Sequence, residues 1–566
     1  MFFSRKKLCY TQDVKLDRYQ QKAVLTDAEA VLVLAPAGSG KTATLLSKVN
    51  YLIEHEHLDP SQILLIAFTR KVVAELSARI TYRDVTIRTF HSLGNQIIKS
   101  YTTGNAILDD TDMATLVHRL TEKMKDTNPD YLDAFNNYLA TGGLAAAATS
   151  FIWSHHKNDD ADLELLFLAI LNLQKSKNIS LIELKSRLSD IHDAQERKNA
   201  ECLFRLYAPI YRLYSSYLAK HRFYDFADML VFATKIVRKL PPGSFPYKHI
   251  LVDEAQDLSD SKCELLDAVL QKCEGAKLFA VGDDWQSIYR FAGSNLDVLD
   301  NFEEKFHLKT VRTMIKSTYR FGQPTARISN RFIEKNPRQT HKHVRPARGR
   351  HTPIVVRLNE NFEIERGKDT MMRDGDDRSS GWIPPDYETI NRELISLYRK
   401  YGEALFQKQL QIISRYNRDV SRVVDVKTNT YKQASFNPER STFIWALPGA
   451  ASPLLIPFCT MHKSKGITRD IVFVINLNNT SLGMPATRPD NPLMATMMTA
   501  PDAYPHAEER RLFYVAITRA RERTILISNR HHISNFVFEI SPKLKGAGVK
   551  VCRHCHRGIY ELHHSR

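Results

Sequence analysis

The chain reads as an α/β protein in which parallel sheets are wrapped by helices. Three observations predict this. Short apolar, β-branched runs recur, among them Val31-Leu32-Val33-Leu34, Ile63-Leu64-Leu65-Ile66-Ala67, Ile250-Leu251-Val252, Lys277-Leu278-Phe279-Ala280-Val281 and Asp470-Ile471-Val472-Phe473-Val474-Ile475. Stretches compatible with helix follow them, the alternation that builds a parallel sheet. The runs fall in two clusters, divided near residue 308, so two lobes of this kind are expected.

The first run opens into Ala35-Pro36-Ala37-Gly38-Ser39-Gly40-Lys41-Thr42, and the helix-compatible Ala43-Thr44-Leu45-Leu46 follows. Strand, small-residue loop, Lys-Thr and helix form the context that a phosphate-binding loop requires. Gly38 and Gly40 let backbone N–H groups turn inward around a triphosphate, and the helix N-terminus adds partial positive charge. Lys41 can reach the outer phosphates, and Thr42 can place its hydroxyl on Mg²⁺. The motif begins with Ala35 where glycine is usual.

The run Ile250-Leu251-Val252 ends in Asp253-Glu254-Ala255-Gln256-Asp257. Carboxylates at the C-terminal end of a parallel strand sit where ligands bind in open α/β sheets. Asp253 can hold hydrated Mg²⁺, and Glu254 can accept a proton from an attacking water. The competing reading is a solvated acidic loop. After the next strand come Gly282-Asp283-Asp284-Trp285-Gln286-Ser287-Ile288-Tyr289-Arg290-Phe291. Gln286 can contact a γ-phosphate. Trp285, Tyr289 and Phe291 are faces on which nucleic-acid bases can stack, at about 1–3 kcal/mol per base; such rings serve equally well as core. Upstream, the Gln20 amide can donate and accept at once, matching adenine's N6/N7 edge; an exposed helix glutamine is the plainer alternative. Arg320 in Ser317-Thr318-Tyr319-Arg320, and Arg519 in Thr518-Arg519-Ala520-Arg521, are candidate arginine fingers for a transferring phosphoryl group, with structural salt bridges as their alternative.

Composition narrows the partners. The 566 residues suffice for several domains, and 43% hydrophobic with 25% charged residues is ordinary for a globular protein. Eighty basic against 63 acidic residues leave +17, an excess that favours a polyanion, although a basic surface also serves solubility. No apolar run is long enough for a bilayer, and Met1-Phe2-Phe3-Ser4-Arg5-Lys6-Lys7 lacks the apolar stretch of a secretory signal. Seven cysteines, an odd number and mostly scattered, argue against a disulfide framework and for a reducing, cytoplasmic setting.

These motifs together resemble the UvrD/Rep family of superfamily-one DNA helicases, and within it the helicase IV group. The spellings that carry the resemblance are Ala35 to Thr42, Asp253 to Asp257, Gly282 to Phe291, Thr460-Met461-His462-Lys463-Ser464-Lys465-Gly466 and Glu508-Glu509-Arg510-Arg511-Leu512-Phe513-Tyr514-Val515-Ala516. They run in family order over most of the chain. The resemblance implies two RecA-like P-loop lobes with ATP in the cleft between them. Single-stranded DNA would cross both lobes and move about one nucleotide per ATP, 3′→5′. It implies ATPase roles for Lys41, Thr42, Asp253, Glu254, Gln286, Arg320 and Arg519, and adenine contacts for Gln20 and Tyr319. It implies DNA contacts for Phe68, Thr69, Arg70, Phe90, His91, Thr460 and His462, and base stacking by Tyr289 and Phe291. Asp225-Phe226-Ala227-Asp228 matches the start of the first lobe's second half.

The sequence also departs from the family pattern. Ala43 replaces an adenine-stacking arginine, Ile467-Thr468 replaces a Leu-Glu pair whose acid contacts ribose, and Ala292 stands where an arginine is usual, with Arg290 a replacement in space. The interval between Arg320 and Thr460 is too short for the large helical subdomain of better-known relatives, which makes translocation a safer expectation than processive unwinding. Gln20 lies so near Met1 that the additional N-terminal domain of the helicase IV group is expected to be missing. An alternative of another class is an ATP-switched DNA-binding subunit of a defence or repair complex that recruits a separate nuclease.

The expected organisation is a first lobe over 1–99 and 220–308, interrupted by a helical insertion over 100–219. A second lobe over 309–350 and 453–540 is interrupted by a reduced insertion over 351–452. A basic Cys/His tail closes the chain over 541–566. In the tail, Cys552 and Cys555 are half of a tetrahedral zinc site that His556, His563 or His564 could complete. A zinc ribbon needs a second Cys-x-x-Cys, which the chain lacks, so a metal-free basic tail is preferred to zinc, and haem attachment is disfavoured.

Overall fold

The computed structural model describes residues 15–102, 106–140, 159–347, 349, 351–359, 384–500, 502–541 and 559–561. They form two compact units, Met1–Lys316 with Pro489–Pro501, and Ser317–Arg488 with Asp502–Arg566.

The first unit is built on six parallel strands in the order Thr86–Thr89, Ile63–Ala67, His249–Val252, Lys277–Gly282, Ala30–Leu34 and Thr310–Met314. Ala30–Leu34 and Ile63–Ala67 are buried along their whole length, because helices cover both faces. That is why they read as continuous apolar runs rather than alternations. Thr310–Met314 pairs in parallel with Ala30–Leu34, so the first lobe extends past the expected limit at 308. As an edge strand it is only partly buried, and its mixed sequence hides it from a search for apolar runs.

The helical insertion is present. Asp110–Thr127, Pro129–Ala140, Asp159–Ser176, Leu181–Arg187 and Ala194–His221 surround their own core, which includes Leu116, Phe135, Phe167, Tyr207 and Tyr214. Leu493, Met494, Met497 and Met498 enter the same core. Arg187 donates to the Thr496 carbonyl at 2.9 Å. Pro489–Pro501, expected within the second lobe, is therefore part of the first unit: its four apolar side chains find their burial on the insertion.

The second unit carries a nine-stranded sheet among the described residues. Its parallel centre runs Leu454–Thr460, Leu410–Ser414, Arg469–Val474, Ala520–Asn529 and Ile354–Asn359. Antiparallel strands Ala434–Asn437 and Thr442–Trp445 extend one side, and Ile559–Glu561 pairs with Ile354–Asn359 on the other. Two central strands thus come from 351–452, which the sequence suggested was insertion. The described remainder of that interval does not form a core of its own. Tyr387 and Leu394 of the helix Tyr387–Tyr401, together with Trp445, share one core with Ile412, Phe473 and Ile525. The charged, turn-rich stretch at 368–381 and the tail cysteines Cys552 and Cys555 lie outside the described residues. Among the described residues no helix is long and apolar enough to cross a membrane.

Candidate active site

The loop after Ala30–Leu34 lies beside the loop after Lys277–Gly282, and Ala35 N–H donates to the Gly282 carbonyl at 2.8 Å. Gly38 and Gly40 have φ of 72° and 80°, the left-handed region open to glycine. A Cβ on Gly40 would stand 2.7 Å from Gln20 Nε2. The helix Lys41–Glu54 starts here with Lys41 and Thr42 in its first turn. Ser39 Oγ is buried without a hydrogen-bond partner, a polar atom a bound phosphate would satisfy. The residues of this loop therefore fit Mg·ATP.

Gln20 is buried and already engaged. Its Oε1 accepts from Asp17 N–H at 2.9 Å, closing the cap of its own helix, and its Nε2 donates to the Ser39 carbonyl at 3.0 Å. The amide here clasps the phosphate loop.

A chain of polar contacts leads away from Lys41. Its ammonium lies 3.2 Å from Glu254 Oε2. Burial works to lower its pKa, but Glu254, Asp283 and Asp253 outweigh this and hold it above the ordinary lysine value. Gln256 Nε2 donates to the same Glu254 oxygen at 2.6 Å, while Gln256 Oε1 accepts from Asp283 N–H at 2.7 Å. Gln286 Nε2 then donates to Asp283 Oδ2. Glu254 has φ of 50°, an uncommon conformation for a residue with a Cβ. Asp253 accepts from Glu254 N–H at 2.9 Å. The phosphate loop, both carboxylates and the Gln286 loop form one connected set.

The Gln286 loop continues into rings. Phe68 stacks on Tyr289 with centroids 5.9 Å apart and planes at 15°. Phe291 meets Tyr289 edge-on at 6.1 Å and packs against the helical insertion. Phe68 remains 36% exposed. His91 and the exposed Arg70 belong to the same unit, and burial, with Lys262 and Arg70 beside it, pulls the His91 imidazole down to about 4. Thr69 caps its helix through Val72 N–H at 3.3 Å.

One expectation is corrected, and one open alternative is decided. Phe90 is not on this face: it is buried in the core with Leu64 and Ile250, because the first turn of Phe90–Tyr101 points it at the sheet. Trp285 is fully buried and offers no stacking face. Lys262, which the sequence did not single out, stands over Phe68 with Nζ 4.4 Å from the ring centroid.

In the second unit, Arg320 Nη1 donates to the Thr518 carbonyl at 3.3 Å and Arg519 Nη2 donates to Thr518 Oγ1 at 3.2 Å. The two candidate fingers converge on Thr518, a residue only their geometry reveals. Arg519 is fully buried, with Nε donating to the Val515 carbonyl at 2.7 Å. Tyr319 is 39% exposed. Thr460 caps the turn that carries His462, accepting from Lys463 N–H at 3.3 Å. Among the family-motif residues, Arg510 is structural: it is flanked by Phe332 and Phe536 and forms two hydrogen bonds, 2.8 and 2.9 Å, to Glu539.

Comparison with known proteins agrees with this geometry. Residues 16–307 match the UvrD/REP helicase N-terminal domain, and residues 451–531 match the UvrD-like helicase C-terminal domain. DNA helicase IV of Escherichia coli K12 is 29% identical over 551 residues, which cover 95% of this chain and 71% of that protein. ATP-dependent DNA helicase Rep of Buchnera aphidicola (Acyrthosiphon pisum) is 27% identical, covering 57% of this chain and 46% of that protein. A probable DNA helicase of Mycoplasma pneumoniae is 24% identical, covering 94% of this chain and 86% of that protein. The chain belongs to the UvrD/Rep helicase family.

Proposed function

We propose that this protein is an ATP-driven motor on single-stranded DNA, a 3′→5′ translocase and helicase that acts in DNA repair, recombination or replication. The observation that carries this reading is the unbroken path from Lys41 through Glu254, Gln256 and Asp283 to Gln286, on the loop whose next residues are Tyr289 and Phe291. A group that answers to a γ-phosphate and rings that stack bases are three to five residues apart on one short loop. Hydrolysis and base contact are thereby mechanically joined.

In this reading the phosphate loop, Ala35 to Thr42, holds the triphosphate through backbone N–H groups and Lys41. Thr42 and Asp253 would hold Mg²⁺, which neutralises phosphate charge. Glu254 aligns water and takes its proton, and it must leave Lys41 and Gln256 to do so. Arg320 and Arg519 are assigned to the charge of the transferring phosphoryl group. Gln20 braces the phosphate loop, and Tyr319 supports the base. DNA is held by Phe68, Arg70, His91, Tyr289 and Phe291 in the first unit, and by Thr460 and His462 in the second. Single strands and single-strand/duplex junctions are the proposed partners. Four described cysteines, Cys202, Cys263, Cys273 and Cys459, are free thiols, which supports a cytoplasmic setting.

The test is strand displacement from 3′-tailed and 5′-tailed duplexes, with Lys41→Ala as control. ATP-dependent release from the 3′-tailed substrate, absent in the variant, is expected. Equal release from both substrates would remove the polarity, and ATP-independent release would remove the motor.

A further inference from the structure

Lys262 lies outside every motif considered above. It occupies the first turn of the helix Asp260–Gln271, directly after the carboxylate loop. Its half-buried ammonium has two described contacts of different kinds. Nζ donates to the backbone carbonyl of Asp257, the last residue of that loop, at 3.2 Å. It also stands 4.4 Å from the centroid of Phe68, the ring stacked on Tyr289.

We infer that Lys262 is a further phosphate contact for single-stranded DNA, one that places the charge of the strand against the carboxylate loop. This rests on the motor reading above and deepens it. A base stacked on an exposed ring carries its phosphate to the edge of that ring, where a single-strand groove supplies cations. Lys262 supplies such a cation from over the Phe68 ring itself, and Arg70 is two residues from that ring in sequence. Burial chiefly lowers the His91 imidazole, and the charges of Lys262 and Arg70 add to that lowering. An ammonium suits a strand that must slide, because it offers three rotatable donors and no fixed fork.

The Asp257 carbonyl gives this contact a mechanical consequence. A phosphate that draws the ammonium toward solvent loosens its hold on Asp257. Gln256, the preceding residue, is the one that grips Glu254. Strand occupancy therefore reaches the group that must be released for hydrolysis by a path of one lysine and three residues of the loop, Asp257, Gln256 and Glu254. Lys262 is a DNA contact and a positioning residue for the loop; it does not touch the reacting phosphate.

The experiment measures binding of the full chain to fluorescent oligo(dT) across a salt series, with the half-activating DNA concentration for ATP hydrolysis read in parallel. Lys262→Gln removes the charge but keeps an N–H donor for the Asp257 carbonyl; Lys262→Arg keeps the charge. The glutamine variant is expected to bind about 3- to 10-fold more weakly, with the slope of log affinity against log salt reduced by about 0.7, the value for one lost phosphate contact on a single strand. The arginine variant is expected to retain the wild-type slope, and the half-activating concentration follows the affinity in both. A purely structural lysine would leave the slope untouched, so an unchanged slope in Lys262→Gln overturns the inference while leaving the motor reading intact. Failure of the wild-type chain to bind oligo(dT) at all would overturn both, and is seen before any variant is made.

Discussion

Arg290, between the two rings Tyr289 and Phe291, forms an ion pair with Asp490, two hundred residues further along the chain. Its other nitrogen, Nη1, donates to the Thr499 carbonyl at 3.2 Å. Pro489–Pro501 thus holds the ring-bearing loop from outside, while Leu493, Met494, Met497 and Met498 anchor the segment in the helical insertion. Asp490→Ala is expected to raise the DNA concentration for half-maximal ATPase stimulation by about 2- to 5-fold, as the loss of a partly exposed pair of roughly 0.5–1 kcal/mol implies. The difference from wild type shrinks as salt screens the pair. An identical activation curve at low salt would dissociate the segment from DNA binding.

Glu254→Gln keeps the shape of the side chain but removes its capacity to accept a proton. The hydrolysis rate is expected to fall by about 10²- to 10⁴-fold, the usual contribution of a general base. Nucleotide affinity should change by less than about 3-fold, because Lys41 remains in place and only its ion pair is lost. Single-turnover hydrolysis together with titration of a fluorescent nucleotide measures both. Near-normal turnover would take Glu254 out of the mechanism.

Gly40→Ala tests the fit of the phosphate loop. At φ 80° a Cβ is strained by about 1–2 kcal/mol, and it would meet Gln20 Nε2 at 2.7 Å. The loop and the clasping amide cannot both stay where they are. ATP affinity is expected to drop at least about tenfold, which corresponds to 1.4 kcal/mol. Calorimetric titration with ATP decides this, and wild-type affinity would show that the loop tolerates the shift.

His91 provides a pH signature. Burial, with Lys262 and Arg70 nearby, lowers its pKa to about 4, below the unfolded value near 6.5. The unfolded chain therefore takes up this proton first as pH falls. The stability that neutral His91 supports is complete above about 6.5 and drains away between 6.5 and 4. A DNA phosphate beside Lys262 and Arg70 would offset their field and raise the midpoint. Histidine NMR, with the resonance assigned by His91→Gln, should show a midpoint near 4 that moves upward with oligo(dT). A midpoint unmoved by saturating DNA would separate His91 from the strand.

By itself the sequence determined the strand-loop-helix phosphate site, the carboxylates at a strand end and the existence of two α/β lobes. These features are local: apolar runs, turn-forming glycines and charged residues at strand ends express themselves within a few residues of their own position. Tertiary structure alone decided which aromatic residues face solvent. Phe90 and Trp285 are as aromatic as Phe68 and Tyr289, but the sheet and helices packed over them turned two into core and left two as a stacked pair. Folding also brought Lys262 over Phe68, joined Arg320 and Arg519 at Thr518, and laid Pro489–Pro501 on the helical insertion. Each of these depends on which distant surface covers a residue, and burial of that kind is a property of the packed whole rather than of the neighbours along the chain.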